Sequence, residues 1–146
     1  MATQIGSAPY SLAADEGEQL SWFDATMTLK ASAPGLGVIE SVIGPGDEPP
    51  LHVHEGEDEW FYLLEGEVSF HVGDEILRGR TGSFVSFPRG IPHTFTIESE
   101  SASFLLINTP GGFERMFELA PKTVEEAVQA LNQYGVEVVG PHPRST

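Results

Sequence analysis

Cysteine is absent from this chain of 146 residues, and basic residues are scarce. Without cysteine the chain can form neither disulfides nor zinc ribbons, and it offers no thiol nucleophile. Seven lysine and arginine residues stand against 22 aspartate and glutamate residues, which gives a formal net charge of -15. A chain this acidic repels nucleic acid and anionic lipid, so we expect neither nucleic acid nor a membrane as a partner.

Long apolar runs are missing as well. No segment approaches the roughly 20 apolar residues that span a bilayer, and the N-terminus lacks the basic start and apolar centre of a signal peptide. We therefore expect a cytoplasmic protein. A composition of 40% hydrophobic residues over this length predicts one folded domain with a single core.

The pattern of the chain changes once, near residue 109. Before it, short segments of alternating or wholly apolar character are separated by glycine, proline and acidic turns, which is typical of an all-β sandwich or barrel. After it, apolar residues recur at helical spacing, and Thr123 with Glu126 forms the pattern of a capping box. We predict an N-terminal arm over 1–19, a β barrel over 20–109 and a C-terminal helical tail over 110–146, packed on the barrel.

One predicted strand is apolar on both faces. The segment from Trp60 to Leu64 reads Trp-Phe-Tyr-Leu-Leu and does not alternate. One face of this strand points into the barrel, and the other needs a further covering layer. A second sheet, a helix or another subunit would each supply that layer; we favour another subunit and predict a homodimer.

Three histidines and one glutamate are placed to meet at one point. On a strand, residues two apart share a face, so His52 and His54 can point at the same ion. Glu59 follows where the next apolar strand begins, and an unpaired carboxylate there would be costly to bury. His93 opens a later strand after a Pro-Arg-Gly-Ile-Pro turn. These side chains predict a metal site inside the barrel.

The ligand set restricts the kind of metal. Neutral nitrogen donors with one carboxylate suit a divalent first-row ion, namely iron, manganese, nickel, cobalt, copper or zinc. An octahedral ion would keep two positions free for chemistry, whereas a closed tetrahedral zinc would be structural. We expect His71 and His142 to bond neighbouring groups or face water, and the acidic residues Glu55, Glu57 and Asp58 to form a solvated loop.

Two segments of the chain resemble the two motifs of the cupins. Between Gly46 and Gly66 the chain reads glycine, five residues, His-x-His, four residues, Glu, six residues, glycine. From Gly82 it reads glycine, five residues, Pro-x-Gly, two residues, His93. Ile97 stands where the family often has asparagine. The resemblance implies an all-β jelly-roll barrel, commonly homodimeric, that holds one divalent metal through His52, His54, Glu59 and His93.

A barrel of this kind lets the cavity wall be predicted by strand parity. If Glu59 and His93 point inward, so do the residues at even spacing from them along each strand. The predicted wall is aromatic and aliphatic, without arginine or lysine, and therefore suits a small hydrophobic or aromatic substrate better than a sugar phosphate. The predicted lining residues are Phe61, Leu63, Val85, Phe87, Phe95 and Ile97.

The whole chain looks like single-domain cupins similar to quercetin 2,3-dioxygenase. That resemblance implies a metal-dependent dioxygenase that cleaves an enolic or polyhydroxylated aromatic substrate, with Glu59 as both metal ligand and catalytic base. Two alternatives stay open. A polyketide cyclase would use the metal as a Lewis acid without consuming oxygen, and a non-catalytic cupin would only bind a small molecule.

Overall fold

The computed structural model describes residues 8–145, in which antiparallel strands dominate. Residues 1–7 of the predicted N-terminal arm lie outside this range. The strands are β1 (Glu18–Trp22), β2 (Ala25–Ala33), β3 (Leu36–Ile43), β4 (Leu51–His54), β5 (Asp58–Glu65), β6 (Val68–Val72), β7 (Glu75–Gly79), β8 (Phe84–Phe87), β9 (His93–Ile97), β10 (Ala102–Thr109) and β11 (Val136–Gly140). The α-helix α1 spans Val124–Gln133, and 3₁₀ helices span Phe113–Leu119 and Pro143–Ser145. The first 3₁₀ helix is called the capping segment below.

Two sheets enclose the core. One sheet has the strand order β1-β2-β3-β10-β5-β8, and the other has the order β11-β4-β9-β6-β7. Strand alternation separates inside from outside: on β5, Glu59, Phe61 and Leu63 are buried, whereas Tyr62 between them is 40% exposed. The all-β jelly-roll prediction with a short C-terminal helix is confirmed.

The tail after residue 109 is not wholly helical. The capping segment is a 3₁₀ helix, and α1 begins at the predicted cap, where the Thr123 side chain accepts a hydrogen bond from the Glu126 backbone nitrogen at 3.1 Å. After α1 the chain returns to the barrel as β11 and pairs with β4. Sequence analysis predicted neither β7 nor β11. Strand β7 pairs with the preceding β6 but is exposed at four of its five residues, so it lacks the alternation of a half-buried strand. Strand β11 depends on a distant partner more than on its own residues.

None of the helices among residues 8–145 combines the length and the apolarity that a membrane span needs.

The outer face of the six-stranded sheet carries an apolar patch. Tyr62 and Phe84 are cross-strand neighbours, 40% and 62% exposed, and Val42 on β3 is 46% exposed. Strand β5 is therefore covered on its inner face by this chain, while its outer face still carries exposed apolar area. We propose that a second copy of the chain covers this patch, as the sequence of β5 predicts.

Light scattering at micromolar concentration tests this prediction. The wild-type protein should have twice the 15.8 kDa mass of one chain. Phe84→Lys should shift the protein towards the monomer, because it places a charge in the apolar patch. Ile76→Lys is the matched control, since Ile76 is 55% exposed on the other sheet. A wild-type mass of one chain would refute the dimer.

Candidate metal centre

Both sheets contribute side chains to one buried polar cluster. His52 and His54 come from β4 and His93 comes from the neighbouring β9, where it pairs with His52. Glu59 comes from β5 on the opposite sheet. The candidate ligand atoms of these residues all lie within 4.8 Å of one another, and each residue is at most 6% exposed. The structure therefore brings together all four residues that the sequence singled out.

Backbone carbonyls fix two of the imidazole rings. His52 Nδ1 lies 2.7 Å from the Pro50 carbonyl oxygen, and His93 Nδ1 lies 3.0 Å from the Ile91 carbonyl oxygen. A carbonyl oxygen only accepts, so each Nδ1 carries the proton and donates it. With Nδ1 as the donor, Nε2 is the atom of each ring that faces the cluster and that would bind a metal through its lone pair.

A carboxylate orients the third ring. His54 Nδ1 lies 2.6 Å from Glu57 Oε1, and the ring packs edge-on against Phe113 with 4.6 Å between ring centroids. Glu57 was predicted to belong to a solvated loop, but its carboxylate contacts Nδ1 of His54, the ring nitrogen that does not face Glu59. Its position three residues after His54 is the one sequence signal that could have identified this role.

The loop before β9, and β9 itself, are hydrogen-bonded to the segment that carries the first two ligands. The Gly90 backbone nitrogen donates to the His54 carbonyl oxygen at 2.7 Å, and the Thr94 hydroxyl donates to the Pro49 carbonyl oxygen at 2.7 Å. Gly90 has a φ of 82°, which a residue with a side chain rarely adopts. The Pro-Arg-Gly turn therefore sets the position of His93 relative to β4.

Glu59 faces two of the histidines through one oxygen. Its Oε1 lies 2.9 Å from His93 Nε2 and 3.0 Å from His54 Nε2. Burial alone would raise the pKa of Glu59, but the facing His54 and His93 outweigh burial and hold this pKa well below its usual range. The carboxylate is therefore ionised and available as a ligand.

The histidines have opposite protonation tendencies when only protein groups act on them. Burial, together with the neighbouring His93 and His54, lowers the pKa of His52 to about 3, so this ring is neutral. Burial also acts to lower the pKa of His54, but the carboxylates of Glu59 and Glu57 outweigh it and raise this pKa to about 9. A metal at the centre would replace the proton that His54 otherwise retains.

The residues present fit a divalent metal. His54 Nε2 is buried and has no aligned hydrogen-bond partner, although Glu59 Oε1 is only 3.0 Å away. Three imidazole nitrogens and one carboxylate around a common point provide the donors that a first-row divalent ion prefers. A bound ion would also offset the cost of burying these groups.

An apolar cavity adjoins the cluster. Of the predicted lining residues, Phe61 and Phe95 lie in its wall, whereas Leu63, Val85, Phe87 and Ile97 are buried in the barrel core. Leu63 and Ile97 lie outside the wall because the cavity is close to the cluster. Leu63 is four residues along β5 from Glu59, and Ile97 is four residues along β9 from His93. The lining is formed by Trp22, Met27, Ile43, Pro49, His52, Glu59, Phe61, His93, Phe95, Phe104, Leu106, Phe113, Met116, Phe117 and Leu131.

The remaining histidines lie outside the cluster. His71 Nε2 is 3.1 Å from the Thr96 hydroxyl oxygen, and His142 Nε2 is 2.9 Å from the Phe95 carbonyl oxygen. Both therefore bond neighbouring groups, as sequence analysis expected.

The fold and the matched motifs define the class of this protein. Residues 39–108 match the model of the cupin domain family. That match covers β4, β5 and β9, which carry the cluster. These residues are similar to cupin domains, and the chain resembles quercetin dioxygenases.

Two curated relatives come from Bacillus subtilis. Quercetin 2,3-dioxygenase is 29% identical over 116 residues, which cover 77% of this chain and 34% of that protein. Oxalate decarboxylase OxdC is 33% identical over 85 residues, which cover 53% of this chain and 21% of that protein. The chain thus spans about a third or less of the length of these relatives.

Solved structures share the fold at low sequence identity. KdgF from Halomonas superposes with a TM-score of 0.66 at 16% identity, covering 72% of this chain and 96% of that one. The nucleoside dehydratase Pac13 of Streptomyces superposes with a TM-score of 0.67 at 13% identity, covering 94% of this chain and 97% of that one. At these identities the likeness concerns the fold alone.

Removing a ligand tests the cluster as a metal site. We predict that His52→Ala or His93→Ala lowers bound metal from one ion per chain to nearly none and reduces the melting temperature, because the remaining buried groups lose their counter-charge. Metal content is measured by mass spectrometry on protein purified without chelators. His71→Ala should change neither quantity. Full occupancy in the His52→Ala/His54→Ala double variant would contradict the assignment.

Glu57→Gln tests the orientation of the third ring. The change removes the charge that holds His54 Nδ1 but keeps the size of the side chain, so we predict metal affinity about 10- to 100-fold weaker. Competition with a chromophoric chelator at pH 7 measures this affinity. Glu55→Gln is the control, since Glu55 is exposed in the same loop. Equal affinities for both variants and the wild type would show that Glu57 has no positioning role.

Proposed function

We propose that this protein is a metal-dependent cupin dioxygenase that cleaves an enolic or polyhydroxylated aromatic substrate. The observation that carries the proposal is the position of the His52, His54, Glu59 and His93 cluster beside an apolar, aromatic cavity. The resemblance to quercetin 2,3-dioxygenase over 77% of the chain supports the same reaction class.

The metal would be held by the three Nε2 atoms and the Glu59 carboxylate. Iron, manganese, nickel, cobalt, copper and zinc all accept this donor set. When bound, a redox-active ion of this group supplies Lewis-acid activation of a substrate oxygen together with one-electron chemistry towards O₂.

Glu59 is the residue that we propose as the catalytic base. It is ionised, it lines the cavity, and its contacts to His54 and His93 both go through Oε1. The proton of the substrate enol would therefore pass to Oε2, which leaves an electron-rich enolate. The neutral His52 ring in the same wall does not compete for this proton, because its pKa is about 3.

The cavity wall would orient the substrate and exclude water. Phe61, Phe95 and Phe104 form a set of tilted and edge-to-face rings, with centroid separations of 4.9 to 5.6 Å. Such a wall accommodates a planar conjugated system and lacks the cations that a phosphate or sugar acid needs. The low polarity also strengthens the interaction of Glu59 with the enol proton.

The reaction balances without a further reagent. Both atoms of O₂ enter the products, an enolic carbon–carbon bond breaks, and the substrate supplies the electrons that reduce the oxygen. The proton taken by Glu59 returns to the product.

Oxygen consumption tests the proposal. Protein reconstituted separately with iron, manganese, nickel, cobalt or copper is assayed on an oxygen electrode with flavonols, catechols and 1,3-diketones. At least one metal form should consume oxygen with an enolic substrate, and His93→Ala should abolish the consumption by losing the metal. If no form consumes oxygen while the zinc form cyclises a linear poly-β-ketone, the function is that of a cyclase. Binding without any turnover would identify a non-catalytic binding protein.

A further inference from the structure

The cavity beside the metal ligands is small. The centres of water molecules can occupy about 50 Å³ of it. At roughly 10 to 15 Å³ for each water, this volume holds about three to five waters. Ordinary sites for drug-sized ligands measure about 300 to 1,000 Å³. A flavonol, with two fused rings and a third ring linked to them, is therefore too large for a cavity of this volume.

The capping segment closes one side of this cavity. Phe113, Met116 and Phe117 lie in the cavity wall and are at most 6% exposed. Phe113 also contacts the His54 ring, so this side of the wall reaches the metal cluster itself. Leu131 from α1 lies in the same wall.

A buried carboxylate fixes the start of the capping segment. Glu114 is 1% exposed and accepts hydrogen bonds from the Gly112 backbone nitrogen at 2.7 Å, from Asn108 Nδ2 at 3.0 Å and from the Ser32 hydroxyl at 2.6 Å. These contacts join the segment to β2 and β10. Moving it would leave a buried carboxylate with unmatched partners, which is costly.

A second link holds the following residue. Arg115 Nε donates to the Ser32 hydroxyl oxygen at 3.1 Å, and its Nη1 lies 3.4 Å from Glu18 Oε1 on β1. The capping segment is thus joined to strands of the six-stranded sheet at consecutive residues. The small volume of the cavity is therefore a property of the folded chain and not of a loosely placed loop.

The wall also selects against charge. Its polar members are His52, Glu59 and His93, and it contains no lysine or arginine. Glu59 balances one charge of a divalent ion, so a small dianion would leave an excess negative charge in an apolar enclosure that has no cationic side chain to compensate it. An uncharged molecule that gives up one enol proton on binding avoids this cost.

We propose that the capping segment restricts this site to small, uncharged enols with a second oxygen two carbons away, of about the size of a five-carbon 1,3-diketone, and that the side chains of this segment, Met116 among them, set the upper size limit. This inference rests on the proposed function for the metal but not on the use of O₂. Flavonols are excluded by their volume. Dianions as small as a five-carbon diketone are excluded by their charge.

Methionine methyl resonances report binding directly. The chain has three methionines, and two of them, Met27 and Met116, lie in the cavity wall. Zinc-loaded protein labelled with ¹³C at the methionine methyl groups is titrated with pentane-2,4-dione, oxalate or a flavonol. We expect pentane-2,4-dione to shift the Met27 and Met116 resonances with saturation, and oxalate and the flavonol to leave both unchanged.

A cavity-enlarging variant tests the size limit. Met116→Ala should bind 1-phenylbutane-1,3-dione at least about ten-fold more tightly than the wild type does. The change removes a side chain from the cavity wall and so makes room for the phenyl ring of this ligand. Leu29→Ala is the control for general loss of core packing, since Leu29 is fully buried and lies outside the cavity wall. Met27 remains as the reporter in Met116→Ala, and the melting temperature of each variant shows that it is folded.

Several results would overturn the inference. Saturable shifts with the flavonol in the wild type would refute the size limit, and equal binding of oxalate and pentane-2,4-dione would refute the selection against charge. Absence of shifts with every ligand would refute the substrate class. Binding of pentane-2,4-dione without oxygen consumption by any metal form would sustain this inference and refute the dioxygenase proposal, so the two failures are distinguishable.

Discussion

The structure depends on one electrostatic constraint: a carboxylate and three imidazoles from opposite sheets meet in the buried interior of the barrel. Glu59 on β5 faces His52, His54 and His93 on β4 and β9, and each of them is almost fully buried. Protein groups compensate only part of this burial, since His54 Nε2 has no aligned partner. A divalent ion would satisfy all of these donors and would cross-link the two sheets at the point where the cavity begins.

Much of the site could be predicted because it depends on spacing within short segments. The His-x-His pattern on β4 and the position of Glu59 at the start of β5 follow from strand alternation and from the cost of burying a charge. His93 was a candidate because it opens a strand after a tight turn, and the second motif supported it, since nothing local says that β9 lies beside β4. The same alternation correctly placed Phe61 and Leu63 on the inner face of β5.

The parts that sequence analysis missed depend on contacts between distant residues. Strand β11 forms by pairing with β4, more than 80 residues earlier in the chain, and its own five residues give little indication of that partner. The cavity wall includes Phe113, Met116 and Phe117, whose helical spacing was recognised but whose position over the cluster was not. That position depends on Glu114 bonding to Ser32, 82 residues away. Glu57 likewise looked like a loop acid because its contact with His54 requires the folded turn.

The central claim is that a metal ion occupies the point where the two sheets meet. Anomalous X-ray scattering from crystals of the protein loaded with one first-row divalent metal locates the ion without reference to activity. The account predicts one strong anomalous peak per chain, bonded to Nε2 of His52, His54 and His93 and to the carboxylate of Glu59. An empty cluster, or a peak at His71 and His142 instead, would contradict it.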